Sequence, residues 1–191
     1  MKSYLLLLLL VAAAIPLTAQ TKQSKSPAFQ SIQLKLNQLA INGASAHPKP
    51  TTVTITAEEA NAWVNEGGVK LPAGVSNVRF TSTPGVINTD AKVDFDKLTE
   101  GKQSINPLLM FFTGVHDVTV VAHASGAGGS GQVHVNTLTI DGLNVPRTAM
   151  EYFVNRYLKP KYPGVGLDTT FRFPSHVDSA AVGANQVTVT Q

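Results

Sequence analysis

Cysteine is missing from all 191 residues. That absence removes a disulfide framework, thiol catalysis, thiolate metal ligands and a lipid-modified N-terminal cysteine together. Other signals of chemistry are missing too. No Gly-x-Ser-x-Gly elbow is present, and Ser130 stands on a glycine turn and not at a strand-to-helix corner. No internal repeat recurs, and basic residues are not interleaved with spare aromatics on a sheet face, so no nucleic-acid partner is expected. The net charge is +3 with a pI of about 9.2, but the cations are scattered, with the densest group at Arg147, Arg156, Lys159 and Lys161. Such a group is either a solubilising helix surface or a contact for anionic lipid headgroups.

Residues 1–19 have the pattern of a cleavable signal peptide: Lys2 is positive, Leu5 to Val11 are apolar, and Leu17-Thr18-Ala19 ends in small residues. The expectation is cleavage near Ala19 and a secreted or periplasmic protein. The apolar run is short for a membrane span, and no later stretch reaches that length. Residues 20–26 read as a flexible polar tail and 27–191 as a single domain large enough to bury a core. Without disulfides that core must hold the domain, which suits a bacterial envelope.

Phe29, Ile32, Leu36 and Leu39 recur at helical spacing between Pro27 and Asn42-Gly43. Thr51 to Thr56 is β-branched and runs into Thr56-Ala57-Glu58-Glu59, a capping box opening a short helix that Gly67-Gly68 stops. Ile87, Thr89, Ala91, Val93 and Phe95 alternate with polar residues, which predicts an antiparallel strand with one wet face. Asn106 to Thr113 holds five apolar residues in a row, Leu108 to Phe112, readable as a core plug or as the wall of a cavity.

Two strands follow around the GAGGSG turn. With Gly128-Gly129 at its centre, His123 faces His134, and the apolar parity shifts near Asn136-Thr137, predicting a bulge that bends the sheet. After Val133, Val135, Leu138 and Ile140 comes Pro146, at the expected start of a helix whose one face carries Met150, Phe153, Val154, Tyr157 and Leu158. Gly126-x-Gly128-x-x-Gly131 has the letters of a dinucleotide fingerprint, but a strand and not a helix N-terminus follows it. His123 and His134 supply at most half of a metal site, and Asp90, Asp94 and Asp96 on an extended strand cannot wrap a calcium ion. No cofactor, metal or catalytic constellation is therefore expected, and the chain is not read as an enzyme.

The runs VTITAEEANAWV, LPAGVSNVRF with VDFD, and LTIDGLNVPRTAMEYFVNRYLKPKYP together resemble bacterial extracytoplasmic families of the tubular lipid-binding (TULIP-like) type. The corresponding residues are Glu58, Glu59 and Asn61 at the first helix and Gly142, Val145 and Pro146 at the corner before the later one. The resemblance spans about Pro27 to Thr190. It implies an α+β fold with a strongly curved antiparallel sheet wrapped around a long helix, a TULIP-like half-barrel with two to three helices. It also implies binding or transfer of phospholipid-like ligands in an apolar groove, with possible membrane-surface contact. Val93, Phe95, Leu108, Phe112, Met150, Phe153, Val154 and Leu158 are the candidate lining, and Arg147, Arg156, Lys159 and Lys161 the candidate headgroup contacts. A solid core of a structural or interaction domain explains the same apolar residues equally well.

Overall fold

The computed structural model describes residues 25–100 and 112–191. The expected signal peptide, most of the polar tail and Leu108 lie outside the described residues. Helix α1 (Pro27–Gly43) begins where the sequence places it: the Ser26 hydroxyl accepts from the Phe29 amide at 3.1 Å, and Pro27 occupies the first turn. Ser26 also donates its amide to Glu66 Oε2 at 2.9 Å, so the expected tail ends one residue earlier, at a fixed cap.

Strand β1 (Thr52–Thr56) feeds helix α2 (Ala57–Asn65) through both halves of the expected capping box. The Glu59 amide donates to Thr56 Oγ1 at 3.2 Å, and the Thr56 amide donates to Glu59 Oε2 at 2.8 Å. The same carboxylate receives Lys35 Nζ at 2.6 and 2.7 Å and Ser31 Oγ at 2.5 Å, both from α1. Burial by itself would push the Glu59 carboxyl up, but the donors Lys35, Ser31 and Thr56 outweigh it and hold the pKa below the usual carboxylate value. Phe29 then stacks on Trp63 with ring centroids 5.0 Å apart. Gly68, just past the helix, lies so close under that indole that a Cβ would fall 2.1 Å from it, which is why that position must be glycine.

Among the described residues the sheet has nine strands. Its path runs β1, β9 (Gln186–Thr190), β8 (Ser179–Gly183), β4 (Val115–Ala127), β3 (Val86–Asp94) and β2 (Val75–Thr83). Strand β5 (Ser130–Ile140) pairs with β4 and also with the short β6 (Leu143–Asn144) and with β7 (Asp168–Arg172). All pairings are antiparallel. His123 faces His134 as the turn predicts. The register slips where Val121 faces Thr137 and Ala122 faces Val135, leaving Asn136 as the extra residue of a bulge. Its side-chain oxygen takes the His123 amide at 3.1 Å, which fixes the bend.

The two ends of the sheet path are brought together without closing. At the β8–β9 turn, Asn185 donates its amide to Ser82 O at 2.9 Å and accepts the Ala57 amide on its own carbonyl at 2.8 Å. The β2–β3 turn is held on both sides, with the Gly85 amide on Val182 O at 3.0 Å and the Ala124 amide on Gly85 O at 2.9 Å.

Four expectations need correction. The β3 strand stops at Asp94, whose carboxylate accepts the Lys97 amide at 3.1 Å, so Phe95 opens the four-residue helix α3 (Phe95–Leu98) and does not end a strand. Pro146 is the cap before helix α4 (Arg147–Phe153) and not its first residue, and the expected single helix widens into a π-turn over Val154–Leu158. The described residues thus hold four helices and not two or three, because α3 is too short for a helical period to show. The helix packed on the strands at the main core is α4; the longer α1 packs on α2 and β1.

Replacing Glu59 with alanine removes the reciprocal cap and strands Lys35. The expected loss in urea unfolding is about 2–3 kcal/mol, above the ~1 kcal/mol of Thr56→Ala, which removes the cap alone.

Candidate ligand site

The apolar residues expected to line a groove do come together. Val93, Phe95, Phe112, Met150, Phe153 and Val154 are buried in one cluster with Leu98, Val118, Ile140, Tyr157 and others, and half-buried Leu158 packs against it. Phe112 stacks on Phe153 at 4.2 Å and 18°, and Phe95 meets both rings edge-on at 5.4 and 5.6 Å. Tyr157 adds a further contact to Phe153 at 5.2 Å. These rings occupy one another's space, which is the geometry of a packed core.

The four candidate headgroup cations are not one cluster. Arg147 is held by Glu151 at 3.0 Å, Asp168 at 2.5 Å and the Val135 carbonyl at 3.2 Å. Lys161 is held by Glu100 at 2.9 Å and the Leu98 carbonyl at 3.1 Å. Arg156 and Lys159 are exposed on the π-turn and at its end.

Open apolar space lies elsewhere, where the two ends of the sheet path approach under the first turn of α2. A recess of about 220 Å³ is lined by Ile55 and Thr56, Ala57 and Ala60, Phe80 to Ser82, Ile87, Gln186 and Val187. Ile55 pairs with Val187 on one wall, and Ser82 with Ile87 on the other. The Glu59 cap sets the rotation of α2, which puts Ala57 and Ala60, three residues apart, on the face above the recess. Their methyl groups are too short to fill it. Among the described residues no charged side chain lines the walls. None of these residues is in the lining expected from sequence; the available signal is the pair of alanines on a helix that follows a β-branched strand.

No protein-family model, curated protein or solved structure matches this chain. The site must therefore be judged on its own chemistry. A designed cavity of about 150 Å³ holds benzene, whereas pockets for drug-sized ligands run from about 300 Å³ upward. The recess fits a single ring, a short aliphatic chain or the end of a longer one.

The sheet's polar face carries a separate row. His123, His134 and Asp168 sit opposite one another on β4, β5 and β7 and border an open depression of about 530 Å³ with Ser125, Gln132 and Thr170. His134 Nδ1 contacts one Asp168 oxygen and Arg147 the other. His134, then Arg147, hold the Asp168 pKa below its usual value. The His123 ring is turned to Asn136 at 2.6 Å. Among the described residues no three His, Asp or Glu side chains are arranged to hold a metal ion.

A second histidine–aspartate pair lies at the start of β4. His116 Nδ1 lies 2.5 Å from Asp141 Oδ2, and Nε2 lies 2.7 Å from the Thr113 carbonyl. Both partners are acceptors, so the site is matched to a ring that donates from both nitrogens and favours the imidazolium form. Asp141, then the Thr113 carbonyl, raise the His116 pKa against the opposing effect of burial, with nearby Asp117 adding to the rise. Asp141 is lowered in turn, chiefly by His116 and by the Asp117 amide, with Lys92 also contributing.

The raised His116 pKa fixes the sign of a pH effect. Its contribution to stability is full below the unfolded histidine value of about 6.5 and fades as pH rises through the higher folded value. Asp141 contributes above its unfolded value and fades as pH falls through its lower folded value. Urea midpoints measured from pH 5.5 to 8.5 should decline for the wild type, and His116→Gln should flatten that decline. An equal slope in both proteins would contradict the raised His116 pKa.

Proposed function

We propose that this chain is a non-enzymatic, extracytoplasmic binding protein for apolar molecules of phospholipid-like chemistry, taken up between its curved sheet and its helices. One observation carries the reading: the recess under α2 has apolar walls, no charged group and room for a short aliphatic segment. The signal-peptide pattern and the resemblance to TULIP-like families support it. Each buried methylene contributes about 0.8 kcal/mol, so five or six of them would contribute roughly 4–5 kcal/mol. The recess takes the end of one chain, and the remainder lies along the surface beside it. The tight ring packing around Phe153 favours a solid core for that part of the molecule, so the aromatic cluster acts as the scaffold and the recess as the site.

Native mass spectrometry of gently purified protein, before and after incubation with phosphatidylglycerol vesicles, tests this. One apolar adduct per chain is expected, and Ala60→Leu, which projects into the recess, should lower its occupancy at least about tenfold without loss of stability. Phe153→Ala should instead cost about 3–5 kcal/mol of stability, through the cavity it leaves in the scaffold. No adduct from either source, or equal uptake by Ala60→Leu, would overturn the proposal.

A further inference from the structure

The polar face of the sheet holds two ring nitrogens that no hydrogen bond uses. His123 and His134 face each other across β4 and β5, both are exposed, and both border the same depression. That depression shares no residue with the recess under α2. The state of each ring follows from its partner. Asn136 Oδ1 takes the His123 backbone amide at 3.1 Å; a backbone N–H only donates, so the atom it meets is the carbonyl oxygen of Asn136. The same oxygen lies 2.6 Å from His123 Nδ1, which therefore carries a proton. On the other strand His134 Nδ1 meets Asp168 Oδ1, while Arg147 holds Oδ2 at 2.5 Å, so this carboxylate is an acceptor only and Nδ1 again carries the proton. In both neutral rings the lone pair is left on Nε2, and neither Nε2 has a hydrogen-bond partner among the described residues. His116 is the contrast, because both its ring nitrogens are engaged.

We propose that His123 and His134 bind one divalent first-row transition-metal ion, copper(II) most tightly, through their two Nε2 atoms, with water in the remaining positions. Side chains directly opposite in an antiparallel pair have Cβ atoms about 4.5–5.5 Å apart. Two imidazole nitrogens at about 2.0–2.1 Å from one ion lie roughly 3 Å from each other, which rings rooted at that spacing can reach. A hydrogen-bond acceptor on the other ring nitrogen is how proteins orient metal-binding histidines, and both rings have one: Asp168 for His134 and Asn136 for His123. Asn136 is the extra residue of the bulge, so the residue that bends the sheet also fixes a ligand. Ligand type selects the ion. Two imidazoles without thiolate suit copper, nickel and zinc, with copper(II) at the top of the affinity order. Calcium and magnesium need oxygen ligands, and the one carboxylate in the row is already engaged at both oxygens.

Copper(II) titrated into the purified protein, with glycine as competing chelator, tests this. One ion per chain is expected, and electron spin-echo envelope modulation, which counts coordinated imidazoles, should find two. Paramagnetic broadening of the wild-type amide spectrum should centre on His123 and His134, which locates the ion without any substitution. His123→Gln and His134→Gln should each leave one imidazole and weaken binding at least about tenfold. Their circular dichroism should match the wild type, because both rings are exposed. His116→Gln and the double variant His47→Gln/His176→Gln should bind copper as the wild type does. Broadening centred on His47 or His176, a single imidazole in the wild type, or equal binding by the double variant His123→Gln/His134→Gln would overturn the proposal.

Discussion

The carboxylate of Glu59 is the constraint on which the placement of the helices depends. Its position at the third residue of α2 lets it close the capping box with Thr56, and its burial then demands further donors. Lys35 and Ser31, four residues apart on α1, supply them. A charged group with so little access to solvent is stable only when fully paired, so one side chain fixes the start of α2, the rotation of α1 and the distance between them. Two consequences follow. Ala57 and Ala60 are held above the gap between β1 and β2, and the outer face of α1 is left without charge because Lys35 is used inside.

A second set of constraints bends the sheet. Asn136 inserts one residue into β5 and its side chain locks the insertion to His123, while Asn185 and Gly85 tie the ends of the sheet path to each other through backbone hydrogen bonds. The bulge lies opposite the middle of β4, where curvature turns the apolar face toward α4. At that end the Phe95, Phe112 and Phe153 rings fill the concavity. At the other end no aromatic from a helix reaches in, and the space is left to Ala57, Ala60, Phe80 and Ile87. One curved surface therefore has a filled half and an unfilled half.

The sequence was legible wherever a signal is local. The capping box at Thr56, the one-residue shift near Asn136, the facing of His123 and His134 and the helical stripe from Met150 to Leu158 each follow from residues within a few positions of one another. Where reading failed, distant residues decide. Phe95 continues the alternation of β3, yet Asp94 caps a helix there, and its ring joins the core from a helical backbone. Arg147 and Lys161 belong to the densest cationic group of the chain but are taken up by Asp168 and Glu100, which the sequence does not place near them. The recess was not legible at all, because a void is a property of side chains that fall short. Ile55, Ala60 and Val187 are each ordinary core residues until the fold sets them around the same space.

The size of the recess bears on why it exists. At about 24 cal/mol per Å³, an unfilled closed cavity of 220 Å³ would cost on the order of 5 kcal/mol, comparable with the whole net stability of a small domain. The recess is open to solvent on one side, so that figure is an upper bound, and a larger side chain at Ala57 or Ala60 would bury further apolar surface there. Neither position is constrained to alanine by the helix: both follow the cap, where leucine is nearly as good a helix former. A chain that fills one half of its curved sheet with stacked rings and leaves alanines over the other half retains the space at a cost that substitution could remove.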